Sequence, residues 1–205
     1  CEPRMFPHEL LEDVVAELAP WSLNLYDDCQ PGGTGRVLLE RQTTPECALA
    51  LRTYVTGSSP ISTVEGLAVW KRIAQVALPC NRELAEELAA RVRARFGDKL
   101  LVLVVRWPLV PCHALEIFHP QANKGSALAH FAQRLGIPQA ETLAAGDDTN
   151  DLAMLRWAGW AVAMPHSEGE VREAADVVLE GADGQAALAE YLQSLLARRL
   201  DDEVG

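Results

Sequence analysis

The chain lacks any run of about 18 or more uninterrupted apolar residues, so no helix long enough to span a membrane is expected. It also lacks a basic segment running into an apolar one, so no secretory leader is expected. A cytoplasmic protein with no membrane partner is the resulting expectation. Basic residues are scarce: 18 Lys and Arg stand against 29 Asp and Glu, a formal net charge of −11. Nucleic-acid binding is thereby disfavoured, because it needs a cationic face that releases counterions. The five cysteines (Cys1, Cys29, Cys47, Cys80 and Cys112) form no C-x-x-C pair and are odd in number. They fit buried thiols better than a zinc knuckle or a disulfide framework. The five histidines include no pair spaced i, i+4, so no helix-borne metal site of that kind is expected.

What is present is an ordinary globular composition, 49% apolar and 23% charged over 205 residues, enough for one large domain or two small ones. The chain opens at Cys1 and enters a helical pattern at once, as a sequence joined partway through does. "ELLEDVVAELA" (9–19) carries Leu10, Leu11, Val14, Val15 and Leu18 on one helical face. "WSLNLYDD" alternates as a half-buried strand, "PGGTG" turns the chain, and "RVLLER" returns as an antiparallel partner. "TPECALALRTYV" is expected to be helical to about Val55, and "TGSSP" to be a loop. The stretch 69–78 fits a strand or a helix by pattern alone. A helix then runs from Asn81 to near Gly97, followed by a buried strand "LLVLVVRW" and an alternating one, "HALEIFHP". Residues 1–118 therefore read as helices covering one antiparallel sheet.

From there the rhythm changes. "NKGSALAHFAQRLGI" is a helix capped at Asn123 and stopped at Gly136. Short strands "ETLAAG", "WAVAM" and "VVLE" then alternate with helices, the mark of parallel βαβ layering. Three strands are few for a free-standing doubly wound sheet, which points to a missing part.

The chemistry is expected in "GDDTND" (146–151), at the carboxyl end of a parallel strand, where α/β sheets bind their ligands. Gly146 is read as letting the backbone turn sharply off the strand. Asp147, Asp148, Asn150 and Asp151 follow within one loop and helical turn. Carboxylates so close repel each other unless a hard cation stabilises them, and Mg2+ fits best, since it takes one or two protein carboxylates and completes its shell with water and phosphate oxygen. Helix capping accounts for one aspartate, not three. A calcium loop fails, because loop positions 6 and 12, counted from Asp147 or Asp148, lack the required Gly and Glu. Lys124, at the start of the preceding helix, can neutralise a phosphoryl group beside such an ion.

"NKGSALAHFAQRLGI", "AAGDDTNDLAMLRWAGWAVAM" and "ADVVLEGADGQAAL" together resemble the C-terminal half of a haloacid dehalogenase superfamily phosphatase of the Cof-type and sucrose-phosphatase-like branch. The resemblance covers residues 113–197. It implies an α/β fold: the C-terminal part of a Rossmannoid parallel sheet (119–205) and an α+β cap with an antiparallel sheet (1–118) that selects the substrate. It implies Lys124 and Asp151 as catalytic residues, Lys124 and Asn150 as phosphate-binding, and Mg2+ held by Asp147 and, through water, Asp151. Asp148 is left a weaker, supporting role.

Such enzymes begin with a D-x-D-G-T strand bearing the aspartate nucleophile, and this sequence does not contain it. Asp27 and Asp28 are adjacent rather than spaced by one, and the "VTGSSP" segment is placed too early to be the family's second, phosphate-gripping motif. A covalent phosphoryl transfer needs that nucleophile. An N-terminal segment of the same core, roughly 70–90 residues at ordinary domain sizes, is therefore expected as a required partner. The expected activity is hydrolysis of a small phosphorylated metabolite such as a sugar phosphate. A noncatalytic phosphate-binding fragment and a phosphomutase are the alternatives. Arg41, Arg52, Arg72 and His113 are candidates to touch an anionic substrate.

Overall fold

A computed structural model describes residues 4–27, 36–39, 41–46, 48–49, 59–61, 73–107, 111–167 and 169–204. Its contacts divide the chain into two compact units, residues 1–122 and 123–205. Among the described residues no helix is long and apolar enough to cross a membrane.

The first unit is a six-stranded sheet with helices on one face. Its strands are β1 (Leu23–Asp27), β2 (Arg36–Leu39), β3 (Ser59–Ile61), β4 (Ile73–Cys80), β5 (Leu101–Trp107) and β6 (Cys112–Phe118), in the order β3-β2-β1-β4-β6-β5. All neighbours are antiparallel except β2 and β3. Helix α1 (His8–Glu17) turns Leu11, Val14 and Val15 inward. Helix α2 (Arg82–Phe96) turns Ala85, Leu88, Ala89, Val92 and Phe96 inward, the spacing of one helical face. Both meet Leu23, Leu25, Val76, Leu78, Leu115 and Ile117 of the sheet in a single core. Each such leucine or valine, fully buried, contributes about 1.5–3 kcal/mol before the entropy of ordering is subtracted. Asn81 begins α2 as expected, its side chain accepting from Leu84 N, and Gly97 ends it.

The segment 69–78, ambiguous by pattern, is a strand from Ile73 onward, and 69–72 lie outside the described residues. The loop expected over 56–60 is corrected at its end. Ser59–Ile61 pair in parallel with Val37–Leu39. Pro60 disguises this strand, yet a proline is tolerated where a strand has one neighbour and forfeits little of the ladder. The turn at 31–35, most of the helix expected over 44–55, and Cys1, Cys29 and Cys47 also lie outside the described residues; Cys80 and Cys112 are buried.

The second unit is a three-stranded parallel sheet. Its strands are β7 (Leu143–Gly146), β8 (Trp160–Ala163) and β9 (Val177–Val178), adjacent in chain order. The helices are α3 (Lys124–Leu135), α4 (Leu152–Trp157), α5 (Glu170–Glu173) and α6 (Gly184–Val204). Asn123 caps α3 by accepting from Ser126 N at 2.9 Å, and Gly136 closes it in the left-handed conformation. The core is small: Ala144, Leu155, Ala161, Ala163 and Val171, with Leu128, Leu152 and Met154 packed against it. The α/β class with one mainly antiparallel and one parallel sheet is the architecture expected from the sequence.

Candidate active site

Parallel strands aim their carboxyl ends the same way, so the loops after β7 and β8 share one edge of the second unit. Residues 147–151 leave β7 through a turn and enter α4 by a short 3₁₀ segment, Thr149–Asp151. Asp148 caps that segment: its Oδ1 accepts from Thr149 N at 2.6 Å, and Asp151 reciprocates across a capping box. Helix capping therefore occupies Asp148.

Asp151 has the opposite environment. It is buried, its side chain only 6% exposed. Its Oδ2 accepts from Asp147 N at 3.0 Å and Asp148 N at 3.4 Å, while its Oδ1 meets the Lys124 ammonium. Lys124 Nζ also donates to Asn150 Oδ1 at 3.4 Å. A lysine at the first position of α3 is thus tied to the loop after β7, and Lys124, Asn150 and Asp151 form one cluster. Paired charge and backbone donors hold Asp151 inward as a carboxylate without further ligands.

Gly146 is needed for a different reason from the one expected. Its φ is not positive. A Cβ there would lie 2.5 Å from Asp151 Cβ and 2.8 Å from its Cγ. The glycine makes room for the inward carboxylate rather than for a sharp turn. Gly125 acts alike between helices, since a Cβ would strike Ala153 O at 2.3 Å. That close approach of α3 and α4 keeps Lys124 within reach of Asp151.

Asp147 stands apart from the lysine cluster. Its side chain is 51% exposed, and its Oδ2 lies 3.0 Å from His166 Nε2. Both residues line an open crevice of about 630 Å³, together with Met164, Asp183, Gly184 and Gln185 at the start of α6. His166 had no role in the sequence reading. The signal for it is topological: "PHS" follows the strand adjacent to the acidic loop, and neighbouring parallel strands deliver their following loops to one place.

Among the described residues no three His, Cys, Asp or Glu side chains converge tightly enough to hold an ion on their own. Asp147 offers an exposed carboxylate whose Oδ1 has no partner among the described residues, and both oxygens of Asp151 are already engaged. Such oxygen donors fit Mg2+, which binds through one or two carboxylates and fills its shell with water and phosphate oxygen.

Of the four candidates for anion contact, Arg52 and Arg72 lie outside the described residues. Arg41 donates to Val15 O at 3.2 Å, and His113 sits half-buried on β6; both belong to the first unit.

Residues 52–192 match the haloacid dehalogenase-like hydrolase family. The chain is 30% identical over 169 residues to a phosphoglycolate phosphatase of Methanoculleus marisnigri, covering 81% of this chain and 68% of that protein. It is 52% identical over 61 residues to the putative phosphatase YxeH of Bacillus subtilis, covering 30% of this chain. That match takes in only 23% of YxeH's own length. The fold is that of the solved subclass IIB sugar phosphatase BT4131, with a TM-score of 0.68 at 18% identity, covering 94% of this chain and 68% of that one. On these matches, the chain belongs to the haloacid dehalogenase-like hydrolase family.

Proposed function

We propose that this chain forms the cap (1–118) and the C-terminal part of the core (119–205) of a Mg2+-dependent phosphatase acting on a small phosphorylated metabolite. The observation that carries the reading is the junction of Lys124 with both Asn150 and Asp151, beside the exposed carboxylate of Asp147. Lys124 neutralises phosphoryl oxygen and the nucleophile that attacks phosphorus. Asn150 orients the phosphate through its amide. Asp151, held inward by two backbone amides, keeps Lys124 in place and, with an ion bound, would contact it through water. Asp147 would hold Mg2+, and the bound ion would supply charge stabilisation at the transferring phosphoryl group.

The nucleophile is an aspartate in an N-terminal segment of the same core, outside these 205 residues. Its carboxylate attacks phosphorus, the alcohol departs with a proton, and water then cleaves the acyl phosphate to return carboxylate and inorganic phosphate. Two observations support such a segment. Strand β7 pairs only with β8 among the described residues, leaving an edge to which a further parallel strand can add. The matched solved structure is also longer, this chain covering 68% of it.

The reading favours a sugar phosphate or a short phosphorylated hydroxy acid as substrate, and two relatives support it. BT4131 is described as a sugar phosphatase, and the M. marisnigri relative as a phosphoglycolate phosphatase. The test is phosphate release by the full-length protein from both ester classes, with and without Mg2+. Asp147→Ala is expected to lower kcat/KM by about 10³-fold or more, as losing a main source of transition-state charge stabilisation does. Turnover that survives this change, or that needs no divalent ion, would sink the reading. Phosphate binding without release would favour a noncatalytic module, and transfer to a second sugar hydroxyl a phosphomutase.

A further inference from the structure

Among the described residues, the only side chain bonded to the Asp147 carboxylate is that of His166, at 3.0 Å. An ionised carboxylate can only accept, so Nε2–H of the imidazole donates to Oδ2 and leaves Oδ1 unengaged. The histidine is not on a loose loop. Gly146 O, the last carbonyl of β7, accepts from Met164 N at 3.0 Å and from Ser167 Oγ at 3.4 Å. Ser167 N donates to Met164 O, and Arg172 Nη1 donates to the carbonyls of Pro165 and Ser167. The turn bearing His166 is thus tied to the strand that delivers Asp147.

The far side of the ring is shaped as well. A Cβ on Gly184 would lie 3.5 Å from His166 Cε1 and 3.6 Å from Nδ1. Its tightest contact would be Met164 Cε at 3.1 Å, so Gly184 leaves room for both side chains. With both side chains more than half exposed, the pair adds little to folding. Its consequence lies in where it holds the carboxylate.

We propose that His166 is a positioning residue: by donating to Oδ2 it sets the rotation of the Asp147 carboxylate, so that Oδ1 is presented to the divalent ion. This rests on the reading of Asp147 as the metal-binding carboxylate. Hydrogen bonds from the surrounding shell to a ligating carboxylate govern its affinity for metal, and removing one typically weakens binding by about 10–100-fold.

The experiment is a Mn2+ titration of the full-length protein at fixed pH, with free Mn2+ read by electron paramagnetic resonance. The parent is compared with His166→Ala, His166→Gln and Asp147→Ala, each checked for folding by circular dichroism. His166→Ala is expected to weaken Mn2+ binding by about 10-fold or more. His166→Gln, which keeps an N–H donor at similar reach, recovers most of it. The Mg2+ concentration for half-maximal phosphate release shifts in the same order. If His166→Ala binds Mn2+ like the parent while Asp147→Ala does not, the positioning role is overturned and the reading of Asp147 stands. If His166→Gln binds no better than His166→Ala, the hydrogen bond is not the device and the proposal fails. If Asp147→Ala itself binds like the parent, the reading of Asp147 falls and this inference falls with it.

Discussion

The two units bury their apolar side chains to very different extents. The first packs α1 and α2 onto its sheet through large aliphatic side chains, of which Leu11, Leu18, Leu23, Leu25, Leu78, Leu88 and Leu115 are fully buried. The second has a core of alanines with few larger partners. Every large apolar side chain exposed among the described residues belongs to the second unit, from Phe131 and Leu135 on α3 to Leu196 on α6. Antiparallel neighbours joined by hairpins bring their own hydrophobic faces together, whereas a parallel sheet is stable only when both faces and its interior strands are covered. The first unit is thus self-sufficient in its core. The second holds the proposed site on a three-stranded sheet in which, among the described residues, β7 pairs only with β8.

The largest expected effect on stability is therefore in the first unit. Leu115, fully buried on β6 between the helices and β4, leaves a cavity when truncated, and Leu115→Ala is expected to cost about 2–5 kcal/mol. Thermal unfolding of the full-length protein measures it. A cost below about 1 kcal/mol would mean that this core collapses around the gap, against the contrast drawn between the units. Next comes Gly146→Ala in the second unit. The new Cβ would fall 2.5 Å from Asp151 Cβ, so either the strand end or the carboxylate must shift. Overpacking of this kind typically costs about 1–3 kcal/mol. Its sharper consequence is on function, since the displaced carboxylate is the one paired with Lys124. Phosphate release should fall by more than the loss of stability explains, and an unchanged kcat/KM would show that the placement of Asp151 is not what Gly146 secures.

These contrasts also mark what can be read from residues alone. Helix α2 was legible because its apolar period, its Asn81 cap and its Gly97 stop agree with one another. The parallel strands of the second unit were legible from alternation with helices. Strand β3 was not: it is three residues long, contains Pro60, and exists because of a parallel partner some twenty residues away. Local pattern holds no trace of such pairing. Within the acidic loop, the sequence placed the carboxylates at a strand end but not their directions. Asp148 turns to the backbone, Asp151 turns inward over Gly146, and Asp147 turns to His166. Those directions depend on the space that Gly146 leaves for Asp151 and on a turn after a neighbouring strand. The turn bearing His166 leaves no mark at the loop itself.

The smallest effect expected is at Glu116, half-buried on β6 in the cross-strand row that also carries Asn24 and Ala77. Burial raises its pKa above the ordinary 4.5, while side-chain hydrogen bonds from Trp107 and Gln75 act in the opposite direction. The Trp107 indole N–H donates to Glu116 Oε1 at 3.1 Å. Because the native value is raised, the folded chain binds more protons than the unfolded one between pH 4.5 and that raised value. Stability attributable to this group is therefore fully present below 4.5 and is lost as pH climbs through the native pKa. Glu116→Gln keeps an acceptor for Trp107 and cannot ionise. Its melting temperature relative to the parent should rise across that window and level off above it. All other groups titrate alike in the two proteins and cancel in the difference. A difference in Tm that stays constant from pH 4 to pH 8 would mean that this half-buried side chain is solvated in the folded state as it is in the unfolded chain, and that burial does not perturb it.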